Sequence, residues 1–208
     1  MTCGQRHLEV HESLDDFPTP PWATRALLEI ISMVEGPGIK YMTAHEPAAN
    51  RGFMVRPLEE VFRKVYASDI HDYGMGYQVL DYLFPGELNS ANWIITNPPF
   101  KLAQRFILRA LETPCWRGTA MLVRTSFLEG KTRWSALFKP YPPDIIAQFC
   151  ERVPMIQGLL DESASTATSY CWLIWHKYCR PAYPKFWWIA PCRKRLEKPG
   201  DYLEKSIS

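Results

Sequence analysis

The sequence lacks the features that mark several specialised classes of protein. Its six cysteines include no Cys-X-X-Cys pair and none with a histidine at zinc-ligand spacing, so we predict no metal site. No apolar run approaches the length of a bilayer span, so we expect no membrane partner. Residues 1–20 are polar and acidic, unlike a secretory signal, so we expect a cytoplasmic protein with reduced thiols.

The net charge and the length of the chain exclude fewer classes of function than these absences do. A formal net charge of +2 neither demands nor excludes a polyanionic partner. Basic residues are concentrated in the stretches 101–133 and 177–198, which fit either a solvated surface or a face that binds nucleic acid. At 208 residues the chain fits one domain, which we divide into an N-terminal arm at 1–16, a core at 17–178 and an aromatic, basic tail at 179–208.

Short strand-like and helix-like segments alternate along the chain. After the Pro-rich segment 17–21, apolar spacing predicts a helix over 22–34. The strands that the pattern predicts are 39–45, 65–68, 93–96, 119–123, 145–149 and 170–175. Further helices are predicted at 53–64, 101–111 and 131–138, whereas the span 69–93 has room for little beyond a short strand at 77–83. This alternation predicts a doubly wound, mostly parallel α/β sheet.

The turn Thr96-Asn97-Pro98-Pro99-Phe100 directly follows a predicted buried strand. Ligands of open α/β sheets bind beyond the carboxyl ends of strands, so we expect this turn to line a site. Its two prolines stiffen the backbone. The Asn97 side-chain oxygen and the Pro98 carbonyl can accept both hydrogens of a planar NH2 group and orient it for attack on a sulfonium methyl, with Phe100 as a stacking face. The alternative is a plain Asn-Pro-Pro turn without chemistry.

A second turn, from His45 to Gly52, also lies between a predicted strand and a predicted helix. Backbone amides in such a turn can approach a ligand at the positive end of a helix. Asn50 is the residue other than glycine best suited to a positive φ there. Asp69 ends the following strand, where a carboxylate can accept from two ribose hydroxyls. Asp69 fits a turn or helix cap equally well.

The order of these motifs along the chain resembles that of a known enzyme family. The set is Thr19-Pro20, Glu46-Pro47-Ala48 to Gly52, Asp69, Asp81 and Asn97-Pro98-Pro99-Phe100. It is similar to the class I S-adenosylmethionine-dependent methyltransferases that act on amino groups, and more closely to small phage and prophage DNA adenine-N6 methyltransferases with the gamma motif order. The resemblance covers residues 17–178 and implies a seven-stranded Rossmann-like sheet with a C-terminal antiparallel hairpin. It also implies S-adenosylmethionine as cofactor, DNA as partner and a bacterial host cell, and it leaves open a monomer or a homodimer.

The resemblance assigns roles to individual residues of this sequence. Those that would bind the cofactor are Thr19, Pro20, Glu46, Pro47, Ala48, Asn50, Gly52, Asp69, Ile70, Asp81 and Asn97. Within this set, Asp69 would bind the ribose, Ile70 would pack on the adenine ring and Asp81 would accept from the adenine amine. Those that would hold the target amine are Asn97, Pro98, Pro99 and Phe100.

The sequence departs from the family pattern in places. Asn50 replaces a glycine that is usual in the cofactor loop, and the short 69–93 span bears on the role of Asp81. After Phe100 too little chain remains for a separate target-recognition domain. The target would then be recognised by the loops 124–133 and 154–168. The basic residues we expect at phosphates are Lys101, Arg124, Lys131 and Arg133.

Several alternatives stay open at this stage. Both loops fit a plain surface connection as well, and the aromatic and basic residues at 186–195 fit either a nucleic-acid contact or a segment docked on the core. The same turn chemistry would serve guanine N2 in RNA or a glutamine amide in protein, since each presents a planar NH2. A catalytically silent domain that binds a cofactor or a nucleic acid is a further alternative.

Overall fold

The computed structural model describes residues 15–86, 90–113, 117–178 and 181–203. Most of the predicted N-terminal arm, residues 1–14, lies outside the described residues. The helices are α1 (Pro21–Glu35), α2 (Val55–Glu59), α3 (Ala103–Glu112), α4 (Lys131–Arg133) and α5 (Arg193–Leu196). The strands are β1 (Thr43–Glu46), β2 (Lys64–Asp69), β3 (Gln78–Val79), β4 (Trp93–Thr96), β5 (Gly118–Arg124), β6 (Ile145–Phe149), β7 (Tyr170–His176) and β8 (Lys185–Ile189).

The strands form one sheet in the order β3-β2-β1-β4-β5-β7-β6-β8. Strand β7 is antiparallel to β5 and β6, and the other neighbouring pairs are parallel. The predicted doubly wound α/β class, mostly parallel with an antiparallel C-terminal pair, is therefore confirmed. The strand order reverses between β1 and β4, which opens a crevice at the carboxyl edge of the sheet.

Both faces of the sheet are covered. Trp93 and Ile95 of β4 belong to the apolar core that contains α1, whereas Ile94 belongs to the core that contains α3. Burial on both sides is typical of the central strands of a doubly wound sheet, which read as continuous apolar runs. None of the described helices is both long enough and apolar enough to cross a membrane.

The described residues contribute eight strands to the sheet, one more than the seven we predicted. Residues 185–189, which we placed in the tail, pair in parallel with β6 along their whole length. The run Phe186-Trp187-Trp188 gave no alternating pattern because this edge strand is solvent-exposed at all its positions except Ile189. The pairing depends on β6, a segment more than thirty residues away, which no local pattern can reveal.

Other boundaries also differ from prediction. The predicted strand 39–45 begins only at Thr43, because Gly36–Tyr41 winds into a 3-10 helix. The predicted helix 53–64 is reduced to α2, since Arg63 already donates its backbone N–H to Met42 beside β1. Residues 134–138 of the predicted helix 131–138 form a π-helical turn instead. Between β2 and β4 the described residues contain the two-residue strand β3 and no helix, as the short span indicated.

Candidate active site

The Asn97 turn lies at the carboxyl end of β4, where the strand order reverses. The Asn97 Nδ2 donates a hydrogen bond of 2.8 Å to the Phe17 carbonyl. A carbonyl can only accept, so this bond fixes which end of the amide is the oxygen. Asn97 Oδ1 is left buried without a hydrogen-bond partner among the described residues. Nor does any described residue donate to the Pro98 carbonyl, whereas the Pro99 carbonyl accepts from Leu102.

The loop after β1 adopts the backbone conformation that its sequence indicated. Asn50 has a φ of 50° and Gly52 a φ of 80°, which confirms the expected left-handed position at Asn50. The Asn50 side chain donates to Asp16 at 2.5 Å, and its backbone N–H donates to Asp69 at 2.9 Å. Hydrogen bonds to two carboxylates therefore hold this loop against the N-terminal segment, through Asp16, and against the end of β2, through Asp69.

Asp69 accepts with both carboxylate oxygens. Its Oδ2 accepts from the Asn50 backbone, and its Oδ1 accepts from the His71 backbone at 3.0 Å. Burial raises the pKa of Asp69 above its usual range. The structure thus gives Asp69 the turn-capping contacts we considered, and it also places the residue in the wall of a pocket. Each carboxylate oxygen retains a second lone pair that can still accept from a ligand.

The two turns and the N-terminal segment 15–19 enclose a pocket of about 800 Å³, a volume that includes the part open to solvent. It lies at the carboxyl edge of the sheet, beside the reversal of strand order where ligands of open α/β folds bind. The predicted cofactor residues that line it are Thr19, Pro47, Ala48, Asn50, Asp69, Ile70, Asp81 and Asn97, and Pro99 of the predicted catalytic set lines it too. These residues come from turns that are far apart in the sequence, and the fold brings them together.

Other predicted residues lie beside this pocket and do not line it. Pro20 is buried and precedes α1, and Pro98 is buried in the turn after β4. Glu46 is fully buried at the end of β1, where its Oε1 accepts from the Ala48 backbone at 3.0 Å. Gly52 is buried at the end of the loop. We expect these four residues to support the backbone that forms the pocket.

The charged side chains that line the pocket are all aspartates: Asp15, Asp16, Asp69 and Asp81. No lysine or arginine is among the described lining residues. Such a wall attracts hydroxyl and ammonium groups and repels polyphosphates, so it favours a cationic nucleoside over a dinucleotide or nucleoside triphosphate.

Apolar side chains complete the pocket. Ile70 directly follows β2 and is 61% exposed, so its side chain is free to contact a ligand. Tyr73, Leu80, Leu102 and Phe106 line the same cavity. A flat apolar group such as a purine could pack there.

Sequence reasoning missed several lining residues. Asp16 and Phe17 take part through the Asn50 and Asn97 side chains, and Tyr73 lies in the loop after β2. The neighbouring Thr19-Pro20 motif was the one signal that this segment approaches the site. Asp16 and Phe17 could not be assigned from it, because their contacts are made with loops that follow other strands.

A second pocket lies on the other side of the Asn97 turn. Its lining residues are Phe100, Ala103, Val123, Arg124, Ser126, Phe127 and Arg133. Of the four basic residues expected at phosphates, Arg124 and Arg133 are therefore in this pocket, whereas Lys101 and Lys131 are exposed nearby in the chain and do not line it. Phe100 contributes to this second pocket and not to the aspartate-lined one.

Comparison with known proteins identifies the architecture. No family model matches the sequence, and no curated protein matches it. A protein from Pyrococcus horikoshii, described as a candidate RNA methyltransferase, superposes with a TM-score of 0.54 at 16% identity, over 85% of this chain and 99% of its own. The human methyltransferase 10 domain containing protein gives a TM-score of 0.52 at 10% identity, over 77% of this chain and 85% of its own. The chain has the class I methyltransferase fold.

The C-terminal residues of this methyltransferase fold are docked on the core. Arg195 pairs with Glu29 of α1, and Lys198 pairs with Glu60 at 2.7 Å. Asp201 accepts from the buried Arg25 at 2.7 Å. These ion pairs favour the docked reading of the tail over a nucleic-acid contact. Within the described ranges, no group of three or more His, Cys, Asp or Glu is arranged to hold a metal ion.

The predicted target loop 154–168 reaches the site from the long connection between β6 and β7. The Met155 sulfur lies 3.7 Å from Asn97 Nδ2, and the Gly158 N–H donates to the Asp16 carbonyl at 2.8 Å. The loop therefore contacts both the Asn97 turn and the N-terminal segment that lines the first pocket.

The backbone and the surroundings of Gly52 allow no side chain, so a substitution there is expected to destabilise the protein. A Cβ at this position would collide with the Tyr77 hydroxyl, and the φ of 80° is unfavourable for any other residue. We expect Gly52→Ala to lower the free energy of unfolding by about 2–3 kcal/mol. Gly76→Ala is the matched control, because Gly76 has a φ of 70° with nothing within 4 Å. Gly76→Ala should lower the free energy of unfolding by about 1 kcal/mol. Equal losses in urea unfolding would show that the collision is relieved by movement of Tyr77.

The buried carboxyl of Glu46 is expected to make the stability of the protein depend on pH. Burial raises the pKa of Glu46 to about 8, against the opposing effect of the Thr96 side chain and the Ala48 backbone. The folded protein therefore holds a proton that the unfolded chain releases above its usual pKa of 4.5. The stabilisation that this proton provides is fully present below pH 4.5 and is lost as the pH rises through about 8.

Glu46→Gln removes this titration while keeping a neutral side chain of the same shape. The free energy of unfolding of the wild type should fall relative to that of the variant by about 1.4 kcal/mol for each pH unit between the two pKa values. Urea unfolding at pH about 5 and about 9 measures the difference. A constant gap between the two proteins at both pH values would contradict a raised pKa at Glu46.

Proposed function

We propose that the protein is an S-adenosylmethionine-dependent N-methyltransferase whose acceptor is the N6 amine of adenine in DNA. The observation that carries this proposal is the free, buried Oδ1 of Asn97, held in place by the bond from Nδ2 to Phe17 at the edge of an aspartate-lined pocket. An unpartnered buried acceptor costs about 1–3 kcal/mol of stability. A donor that arrives with the substrate would explain why it is retained.

The aspartate-lined pocket fits S-adenosylmethionine. Asp69 can accept from ribose hydroxyls, and Ile70 with Tyr73 offers an apolar wall for the purine. Asp81 lies in the pocket wall and is already bonded to the Leu83 backbone at 2.8 Å, which fixes its carboxylate for a further donor. When bound, the cofactor supplies an electrophilic methyl group.

The residues of the Asn97 turn would orient the acceptor amine. Asn97 Oδ1 and the Pro98 carbonyl each accept one hydrogen of a planar NH2 group, which favours a tetrahedral nitrogen with its lone pair directed at the methyl carbon. Both oxygens are neutral and weakly basic, so they position the amine without deprotonating it. As the nitrogen–carbon bond forms, the carbon–sulfur bond would break to leave a neutral thioether, and the surplus proton on nitrogen would pass to solvent. Phe100, on the side of the second pocket, would stack against the acceptor ring.

The choice of acceptor rests on the second pocket and on the family resemblance. Arg124 and Arg133 line that pocket and can meet phosphates, which favours a nucleic acid over a glutamine amide. A base must leave the stack to reach such a site. RNA is the second candidate, since the protein from Pyrococcus horikoshii with the same fold is described as a candidate RNA methyltransferase.

A methyl-transfer assay tests the proposal. Protein is incubated with radiolabelled S-adenosylmethionine and, separately, duplex DNA, single-stranded DNA, RNA and cell-extract protein, and the modified atom is identified by mass spectrometry. We expect N6-methyladenine in DNA. Label at guanine N2 in RNA or at a glutamine amide would replace the acceptor and keep the chemistry. Cofactor binding with no transfer to any of the four would instead support a catalytically silent binding module.

A further inference from the structure

Arg124 covers the ring that the proposed acceptor would need. Its guanidinium carbon lies 4.0 Å from the centre of the Phe100 ring and 5.8 Å from that of Phe17. The rings of Phe17 and Phe100 are 5.0 Å apart, and that of Tyr170 lies 6.2 Å from Phe100. The guanidinium is therefore enclosed by aromatic groups on the side of Phe100 that opens to the second pocket.

Arg124 is held by side chains, whereas its neighbour Arg133 in the same pocket is held by backbone carbonyls. The Arg133 Nη1 donates to the Phe127 carbonyl at 2.6 Å and also to the Glu129 carbonyl. The Nε atoms of Arg124 and Arg133 are both buried without a hydrogen-bond partner among the described residues, and the Arg124 guanidinium hydrogen-bonds the Tyr170 side chain. A stacked guanidinium gains about 0.5–2 kcal/mol from the ring, so an anion that offers charge-assisted hydrogen bonds can draw it away.

A separation of 4.0 Å between guanidinium and ring is a stacking distance and leaves no space for a second planar group. An acceptor base can lie on this face of Phe100 only after Arg124 has moved. The side chain is long enough to swing towards the pocket mouth while its backbone stays at the end of β5. In a nucleic acid, a phosphate is always present within one nucleotide of the base that enters.

We propose that Arg124 selects acceptors that carry a phosphate. Its guanidinium occupies the stacking position on Phe100 in the free protein, and it leaves that position for the phosphate next to the incoming base. This inference rests on the proposed function and deepens it, because it makes the phosphate part of the recognition of the acceptor. Arg124 is thus a positioning residue that acts through access to Phe100.

The test compares an acceptor with and without phosphate. Initial rates of methyl transfer are measured on an adenine-containing oligodeoxynucleotide and on free deoxyadenosine, for wild type, Arg124→Ala and Arg124→Lys. We expect Arg124→Ala to lower kcat/KM for the oligonucleotide about tenfold or more. The slope of log(kcat/KM) against the logarithm of salt concentration should also become shallower by about 1, the loss of one phosphate contact. On deoxyadenosine the same variant should be several-fold faster than wild type, because the ring is uncovered. Arg124→Lys should recover part of the oligonucleotide rate.

Arg105→Ala is the matched control, since Arg105 is an exposed arginine of α3 outside both pockets. It should change both rates little. An equal loss on both acceptors in Arg124→Ala, with unchanged melting temperature, would show that Arg124 merely supports Phe100 and would overturn the proposal. Unchanged rates on both would overturn it too. If the wild type modifies no nucleic acid at all, the proposed function itself fails and this role fails with it.

Discussion

Replacing Asn97 with alanine is expected to lower kcat for methyl transfer by about 10²–10³-fold, the usual effect of removing a group that stabilises a reacting centre. The variant loses the free Oδ1 that would accept from the amine, while the pocket wall formed by the aspartates and Ile70 remains. Binding of S-adenosylhomocysteine, measured by calorimetry, should therefore change by no more than a few-fold, about 1 kcal/mol.

Asn92→Ala is the control for this experiment. Asn92 directly precedes the same strand at its opposite end, where its Oδ1 accepts from the Thr43 backbone at 2.9 Å. Its loss should reduce stability and leave kcat within a factor of about two, because no reacting group is near it. If Asn97→Ala retained wild-type kcat, the turn after β4 would not be where the amine is held.

Replacing Asp69 with alanine is expected to weaken cofactor binding by about 100-fold. The substitution removes an acceptor for the ribose and frees the Asn50 and His71 backbone groups that Asp69 now holds. Two charge-assisted hydrogen bonds at about 1.5 kcal/mol each amount to about two factors of ten in affinity. Calorimetric titration with S-adenosylhomocysteine measures the change.

Asp72→Ala separates the pocket from the turn. Asp72 also caps a turn, accepting from the Gly74 backbone at 2.7 Å, but it is exposed and does not line the pocket. The affinity of the Asp72→Ala variant for S-adenosylhomocysteine should stay within about twofold of wild type, since no ligand contact is lost. Comparable weakening in both variants would mean that Asp69 acts only by shaping the loop.

The sequence predicted best those features that are encoded locally. The Asn97 turn is rigid because of its own two prolines, and the left-handed Asn50 follows from its residue type. The alternation of apolar segments predicted the doubly wound sheet, because a strand buried on both faces must be apolar throughout. Each of these inferences depends on neighbours within a few residues.

Features that depend on distant partners were missed. Strand β8 exists because β6 offers it a paired edge, and its own exposed aromatic residues carry no strand periodicity. The part played by Phe17 depends on the Asn97 amide eighty positions away. The start of β1 was placed too early because Ile39 is buried as a strand residue would be, although it lies in a 3-10 helix. Burial alone does not distinguish these two conformations.

A crystal structure with S-adenosylhomocysteine and an adenine-containing oligonucleotide tests the central claim most directly. We expect the thioether sulfur in the aspartate-lined pocket and the acceptor nitrogen about 3 Å from Asn97 Oδ1, facing that sulfur. We also expect the adenine ring on Phe100. A nitrogen bound elsewhere, with Asn97 Oδ1 still unpartnered while both ligands are present, would contradict the claim.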